Sequence, residues 1–151
     1  GYKLSGTGTT LPSHIGTIAI PILTNSSPEP EIHRDLTNAI REAFINDGRL
    51  KVVDESRADM LVQGDLHHYN LRAVSFTTRD VVAEYWVELG VNVNVKDRVK
   101  NRTYLKQDLR TKWDFQTDPD VASTESARLQ ALDEAYRELS HRLVSLVIEQ
   151  F

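Results

Sequence analysis

The sequence predicts an α+β fold, a single mixed and mostly antiparallel β-sheet of about four to five strands with two helices packed on one face. Three patterns predict it. From Ala83 to Val95 an apolar residue stands at every second position, alternating with Glu84, Trp86, Glu88, Gly90, Asn92, Asn94 and Lys96, a period of two that gives a strand one buried and one exposed face. Two other segments carry apolar residues at three- and four-residue spacing: Ile32, Leu36, Ala39, Ile40, Ala43 and Phe44 in the first, and Leu129, Leu132, Tyr136, Leu139, Leu143, Leu146 and Val147 in the second. Each is the stripe of an amphipathic helix. Every such element needs one apolar partner, and one sheet face covered by both helices satisfies all of them at once.

The elements follow in order. Gly1 to Ser13 is rich in Gly, Thr and Ser and reads as an extended lead-in. Ile15 to Ile20 is a strand stopped by Pro21. A polar loop from Thr24 to Pro30 meets the first helix, and Pro28 and Pro30 suit a first turn whose N–H groups lack partners. Gly48 is the expected stop. Leu50 to Val53 reads as a short strand and Asp59 to Val74 as a longer one. The apolar parity of the longer strand slips near His67 and His68, from Met60, Val62 and Leu66 to Tyr69, Leu71 and Ala73, as a β-bulge would require. The loop Ser75 to Asp80 leads into a long hairpin with its turn at Asp97 to Arg102. Its return strand places Leu105, Leu109, Trp113 and Phe115 on one face and Lys106, Asp108, Arg110, Lys112 and Asp114 on the other. Both registers that keep the apolar faces together set Glu88 opposite Lys112 or Arg110. A polar stretch, Gln116 to Ser126, precedes the second helix, with Asp120 and Ser123 as N-cap candidates. No repeat, low-complexity tract or composition shift divides the chain, and residues 1–151 are expected to form one domain.

Composition narrows the function classes. With 151 residues, 40% hydrophobic and 26% charged, the chain is long enough for one good core. No apolar run approaches the roughly 18 residues of a membrane helix, and a chain that spends two long segments on helices cannot supply the roughly eight strands of the smallest transmembrane barrel. There is no cysteine, so disulfides and thiolate metal sites are excluded. The start at Gly1-Tyr2-Lys3-Leu4, without methionine, is expected of a processed protein or of a trimmed chain.

Catalytic constellations are weak, so no enzymatic activity and no cofactor or metal is expected. His67 and His68 are strand neighbours that point to opposite faces unless a bulge intervenes; His14, His33 and His141 stand alone. Gly6-Thr7-Gly8 lacks the strand before it and the helix after it that a phosphate-cradling loop needs. Glu84 and Glu88 share a strand face and could form an acid pair, with no other sign of a sugar cleft. The informative feature is basic: between Lys96 and Lys112 seven Lys or Arg residues meet only Asp97 and Asp108, within a chain of formal net charge −4. Such a surface suits phosphate-bearing partners, and the same residues would also discourage edge-to-edge pairing of an exposed strand. Trp86 and Tyr104 beside those cations suggest a stacking platform, but a pI near 5.7 argues against nucleic acid as the partner.

Read end to end, the sequence resembles the LptE family, the lipopolysaccharide-assembly lipoproteins of Gram-negative outer membranes. The resemblance rests on the order and spacing of Gly1-Tyr2-Lys3-Leu4, Leu11-Pro12 before Ile15 to Ile20, Pro21 with Asn25, and Leu36 to Phe44 on the first helix. It continues through Asp47-Gly48-Arg49-Leu50, Ala58-Asp59, Gly64, Tyr69, and Ala83-Glu84-Tyr85 leading to Val91-Asn92-Val93. It implies two helices on one face of a sheet and an outer-membrane location, facing periplasm and barrel lumen. It also implies a membrane anchor through a lipid-modified cysteine preceding Gly1, an LptD-type β-barrel as partner, and lipopolysaccharide as cargo. Combined with charge placement, it makes Lys106, Arg110 and Lys112 the expected lipopolysaccharide contacts, through charge-assisted bonds to phosphates and sugar acids, with Arg79 and Arg98 as outer contacts. A second resemblance, in Ile18 to Asn25, is to the opening strand of secretion-pore and Tol-type periplasmic domains. That would make the chain a scaffold or assembly module without a lipid ligand.

Overall fold

A computed structural model describes residues 11–150. Most of the lead-in, including Gly6-Thr7-Gly8, and Phe151 lie outside the described residues. The elements are β1 (Thr17–Ala19), β2 (Thr24–Asn25), α1 (Ile32–Asp47), β3 (Lys51–Val52), a 3-10 turn (Glu55–Arg57), β4 (Met60–Phe76), β5 (Val82–Asp97), β6 (Arg102–Gln116) and α2 (Val121–Val144), which runs into a π-helical turn (Ser145–Glu149). They form one sheet in the order β3-β1-β4-β5-β6, with β2 also paired to β4. The N-terminal strands are parallel to β3 and β4, and β4, β5 and β6 are antiparallel. The α+β architecture expected from the periodicities is the one observed. The sixth strand, β2, is only two residues long, too short to show a period.

Both helices cover the same sheet face. Ile18, Met60, Val62, Leu66, Val87, Leu89, Val91, Val93, Val95 and Leu109 meet Leu36, Ile40, Phe44, Leu132, Leu139, Leu143 and Val147 in one buried cluster. The helices run parallel: Arg128 reaches Glu29 at one end of the pair, and Arg49 reaches Glu149 at 3.1 Å at the other. Thr37 ties α1 to the chain leaving β1, accepting from the Leu23 N–H at 3.0 Å while donating to the His33 carbonyl at 2.7 Å. No helix of the described residues is long and apolar enough to cross a membrane.

Several local expectations change. Pro28 and Pro30 lie in the loop before α1, and Glu31, with φ 69°, stands at its N-cap without a side-chain cap. The second helix starts at Val121, as the Asp120 N-cap candidate requires, its carboxylate accepting from the Ala122 N–H, so part of the polar stretch 116–126 is helical; Ser123, the other candidate, is inside the helix and donates to Asp120. Leu129, placed in the core by its spacing, is 53% exposed. The small residues Ala131 and Ala135 take the buried positions of that turn. Gly48 ends α1 as expected, in the left-handed region at φ 79°, with its N–H on the Phe44 carbonyl.

Candidate functional site

The face of the sheet opposite the helices is bare over most of β4, β5 and β6, apart from Leu61 at the start of β4, which packs with Ala19 and Ala58, and two of the strand irregularities decide which of the singled-out side chains reach it. The first is the bulge foreseen in β4. The register runs Leu66 to Val91 and then His68 to Gly90, leaving His67 as the extra residue. Parity reverses there, so His68, Asn70 and Arg72 lie on the open face. His67 joins them: a Cβ on Gly90 would stand 3.0 Å from the His68 Cβ and 3.1 Å from the His67 Cε1, so only glycine lets both imidazoles flank this position. The second irregularity is at the far end of the hairpin, where Val95 faces Leu105 and Lys96 faces Thr103, leaving Tyr104 unpaired. Its hydroxyl donates to the Val147 carbonyl at 2.8 Å on the helix side. Trp86 and Tyr104 therefore do not share a face, and the stacking platform is absent.

On the open face the charges interlock. Glu88 stands opposite Lys112 in the observed register, yet its carboxylate turns to β4, accepting from Asn70 at 3.2 Å and pairing with Arg72 at 3.2 Å. The Asn70 bond, with help from Arg72 and His68, holds the Glu88 carboxyl below its ordinary range. Lys112 instead lies over the Trp86 ring, 3.9 Å from its centroid, a contact worth roughly 0.5–1 kcal/mol at an exposed site. Asp108 sits between His67 at 2.8 Å and Arg110 at 3.0 Å. The His67 bond chiefly, and Arg110 after it, depress its carboxyl. Towards the Thr77 end Glu84 pairs with Asp114 rather than Glu88, and sharing a hydrogen bond between two carboxyls pushes Glu84 up.

Of the five cations singled out in the sequence, the fold gathers three on this face. Arg110 and Lys112 line a shallow groove of about 510 Å³ with His68, Asn70, Arg72 and Glu88. Its three cations against one carboxylate leave a formal charge of +2 with the imidazole neutral. Lys106 opens onto the adjoining depression beside Asp65 and Asn94, and no described residue pairs with it. Arg79 and Arg98 do not join them. Arg79 lies in the exposed turn between β4 and β5, and Arg98 in the turn between β5 and β6, its guanidinium donating to the Glu55 carbonyl and its N–H to the Asp59 carbonyl. One strand length separates those turns, about 50 Å at the rise of an antiparallel strand. Arg72 is the cation that charge counting along the hairpin missed. Following the parity slip at His67 five residues along β4 would have found it.

Comparisons with known proteins agree with this architecture. No curated protein matches the sequence. Among solved structures, the rare lipoprotein B of Shewanella oneidensis is similar at 18% identity and a TM-score of 0.61, over 82% of this chain and 90% of that one. The uncharacterized lipoprotein B of Nitrosomonas europaea is similar at 18% identity and a TM-score of 0.57, over 97% and 92%. The PelC dodecamer of Paraburkholderia phytofirmans shares the fold at 11% identity and a TM-score of 0.61, over 94% and 96%. At such identities the likeness concerns the fold alone. The lipopolysaccharide-assembly family LptE matches residues 15–147, from just before the first strand into the final helical turn, and the chain belongs to that family.

Proposed function

We propose that this protein is the LptE-type outer-membrane lipoprotein of a lipopolysaccharide translocon. It seats in and assists assembly of an LptD-type β-barrel and helps deliver lipopolysaccharide to the outer leaflet. The family match over residues 15–147 carries this reading. The bare, charged sheet face supports its finer part, since a polar surface that its own helices leave uncovered suits a water-lined barrel interior. The role is non-enzymatic. Lys106, Arg110 and Lys112, now joined by Arg72, are the proposed contacts for lipid phosphates and sugar acids. Arg110 and Lys112 are held in place by Asp108 and Trp86, so they meet an anion with little further ordering.

A pull-down of the full-length lipidated protein from detergent-solubilised outer membranes tests the partner. A stoichiometric large β-barrel is expected, and a secretion or Tol-type component in its place would install the scaffold reading. The cargo contact is tested by Lys106→Glu with Arg110→Glu, expected to weaken binding of purified lipopolysaccharide about tenfold or more while the circular dichroism spectrum holds. Unchanged binding removes this face from the site and leaves its cations as edge protection.

A further inference from the structure

A second concave surface lies on the other side of the molecule, between the two helices, and its chemistry is opposite. A groove of about 670 Å³ runs between α1 and α2. Its carboxylates are Glu29, Glu31, Asp35, Glu42 and Asp133, and its only cation is Arg128, a formal charge of −4. Glu31 and Asp133 have arginine partners on their own helices, Arg34 and Arg137, and Arg128 holds Glu29. Asp35 and Glu42 have no ion-pair partner among the described residues. Asp35, in the first turn of α1, is favoured by the helix dipole. Glu42, deep in the helix, has no such support. Between the carboxylates Pro30, Ala39 and Leu129 offer apolar surface beside the amides of Asn38 and Gln130, over the buried Ile32 and Leu132.

Tyr136 supplies an independent sign of a missing partner. It lines the groove and is 5% exposed, yet its hydroxyl is buried with no hydrogen-bond partner. Buried hydroxyls without a partner are rare because the lost hydration is not replaced. Burial first, and the neighbouring Asp35 carboxylate second, push this phenol well above its ordinary value, so it stays a neutral hydroxyl beside an unpaired carboxylate. A donor cation entering there would satisfy both.

We propose that the groove between α1 and α2 is a docking site for a basic polypeptide segment, one of its Lys or Arg side chains reaching Asp35 and the Tyr136 hydroxyl. The spread of the acids favours a chain over an ion. From Glu31 to Glu42 the helix rises about 16 Å, the length of roughly five residues of extended backbone, and no group of acids among the described residues converges to hold a metal. Apolar patches at Pro30, Ala39 and Leu129 among the acids suit a chain that alternates basic and apolar side chains. The site is separate from the open sheet face and does not depend on what binds there.

The test is fluorescence anisotropy of the full-length protein with a labelled pentapeptide alternating arginine and leucine, and with its glutamate counterpart. Saturable binding of the basic peptide alone is expected, weakened at least fivefold by Asp35→Asn with Glu42→Gln and unchanged by Glu84→Gln on the open face. Tyr136→Phe separates docking from folding: it is expected to lower peptide affinity while leaving the thermal midpoint unchanged or higher. Absence of saturable binding overturns the proposal, as does binding indifferent to the Asp35 and Glu42 substitutions, or calcium occupying the groove in isothermal titration while the peptide does not.

Discussion

Two glycines show how single residues set the local geometry. Gly48 adopts φ 79°, and a Cβ built there would meet nothing closer than the Ile45 carbonyl at 4.0 Å. The penalty of Gly48→Ala is therefore conformational rather than steric, about 1–2 kcal/mol for a left-handed L-residue, and urea denaturation should show it as a lower midpoint with an unchanged slope. Gly90 is the opposite case: its conformation is ordinary, and the space its missing side chain leaves is filled by His67 and His68. Gly90→Val should cost about 1–3 kcal/mol through overpacking and release the His67 imidazole from Asp108. The histidine ring resonances, followed by NMR, would report that release, and an unaltered His67 environment would contradict the packing described. Asp97 is a third such residue, buried at the hairpin end. Burial alone would raise its carboxyl, but the N–H of Lys100, His14 and the N–H of Val99 outweigh that and lower it.

At the scale of elements, irregularities matter as much as regular pairing. The bulges at His67 and Tyr104 send the one towards the open face and the other towards the helices. An uninterrupted β6 would have put Tyr104 on the open face, as period-two reading does. The edge of the sheet is managed by a helix as well as by charge, since Arg142 of α2 donates to the Arg110 carbonyl at 2.6 Å and closes part of the free edge. The start of α2 depends on Asp120. Asp120→Ala should cost about 1 kcal/mol, the usual loss of an N-cap, and hydrogen exchange should rise in the first turn while the turns around Leu139 stay protected. Uniformly faster exchange along α2 would show that the cap stabilises more than its own end.

Across the whole molecule the carboxylates give stability a predictable pH dependence. Asp47, Asp65, Glu88, Asp97, Asp108 and Glu125 all have depressed carboxyls. A depressed group contributes stability that is complete above its unfolded value, about 4 for these residues, and is lost as pH falls through its folded value. Glu84, raised by Asp114, acts in the opposite direction but is a single group against six. The urea midpoint should be flat from pH 7 to about 5 and fall below about 4; a midpoint that rises on acidification would mean that these pairings do not form.

Much of this architecture was legible in the linear chain because amphipathic periods are local. The 3-4 spacing of Leu36, Ala39, Ile40, Ala43 and Phe44 and the alternation from Val87 to Val95 require one buried face each, and a single sheet under two helices is the arrangement that supplies it. The order of motifs from Gly1 to Val93 carried the family for the same reason, since residue order survives without any contact being known. Only the tertiary structure decided which charges meet. Arg72 and Glu88 are 16 positions apart, Glu29 and Arg128 99 apart, and their pairing depends on register, on one bulged residue and on how closely two helices approach. It likewise left Leu129 at the lip of a groove and the Tyr136 hydroxyl unpaired beneath it, because helical spacing specifies a face but not the depth at which that face is buried.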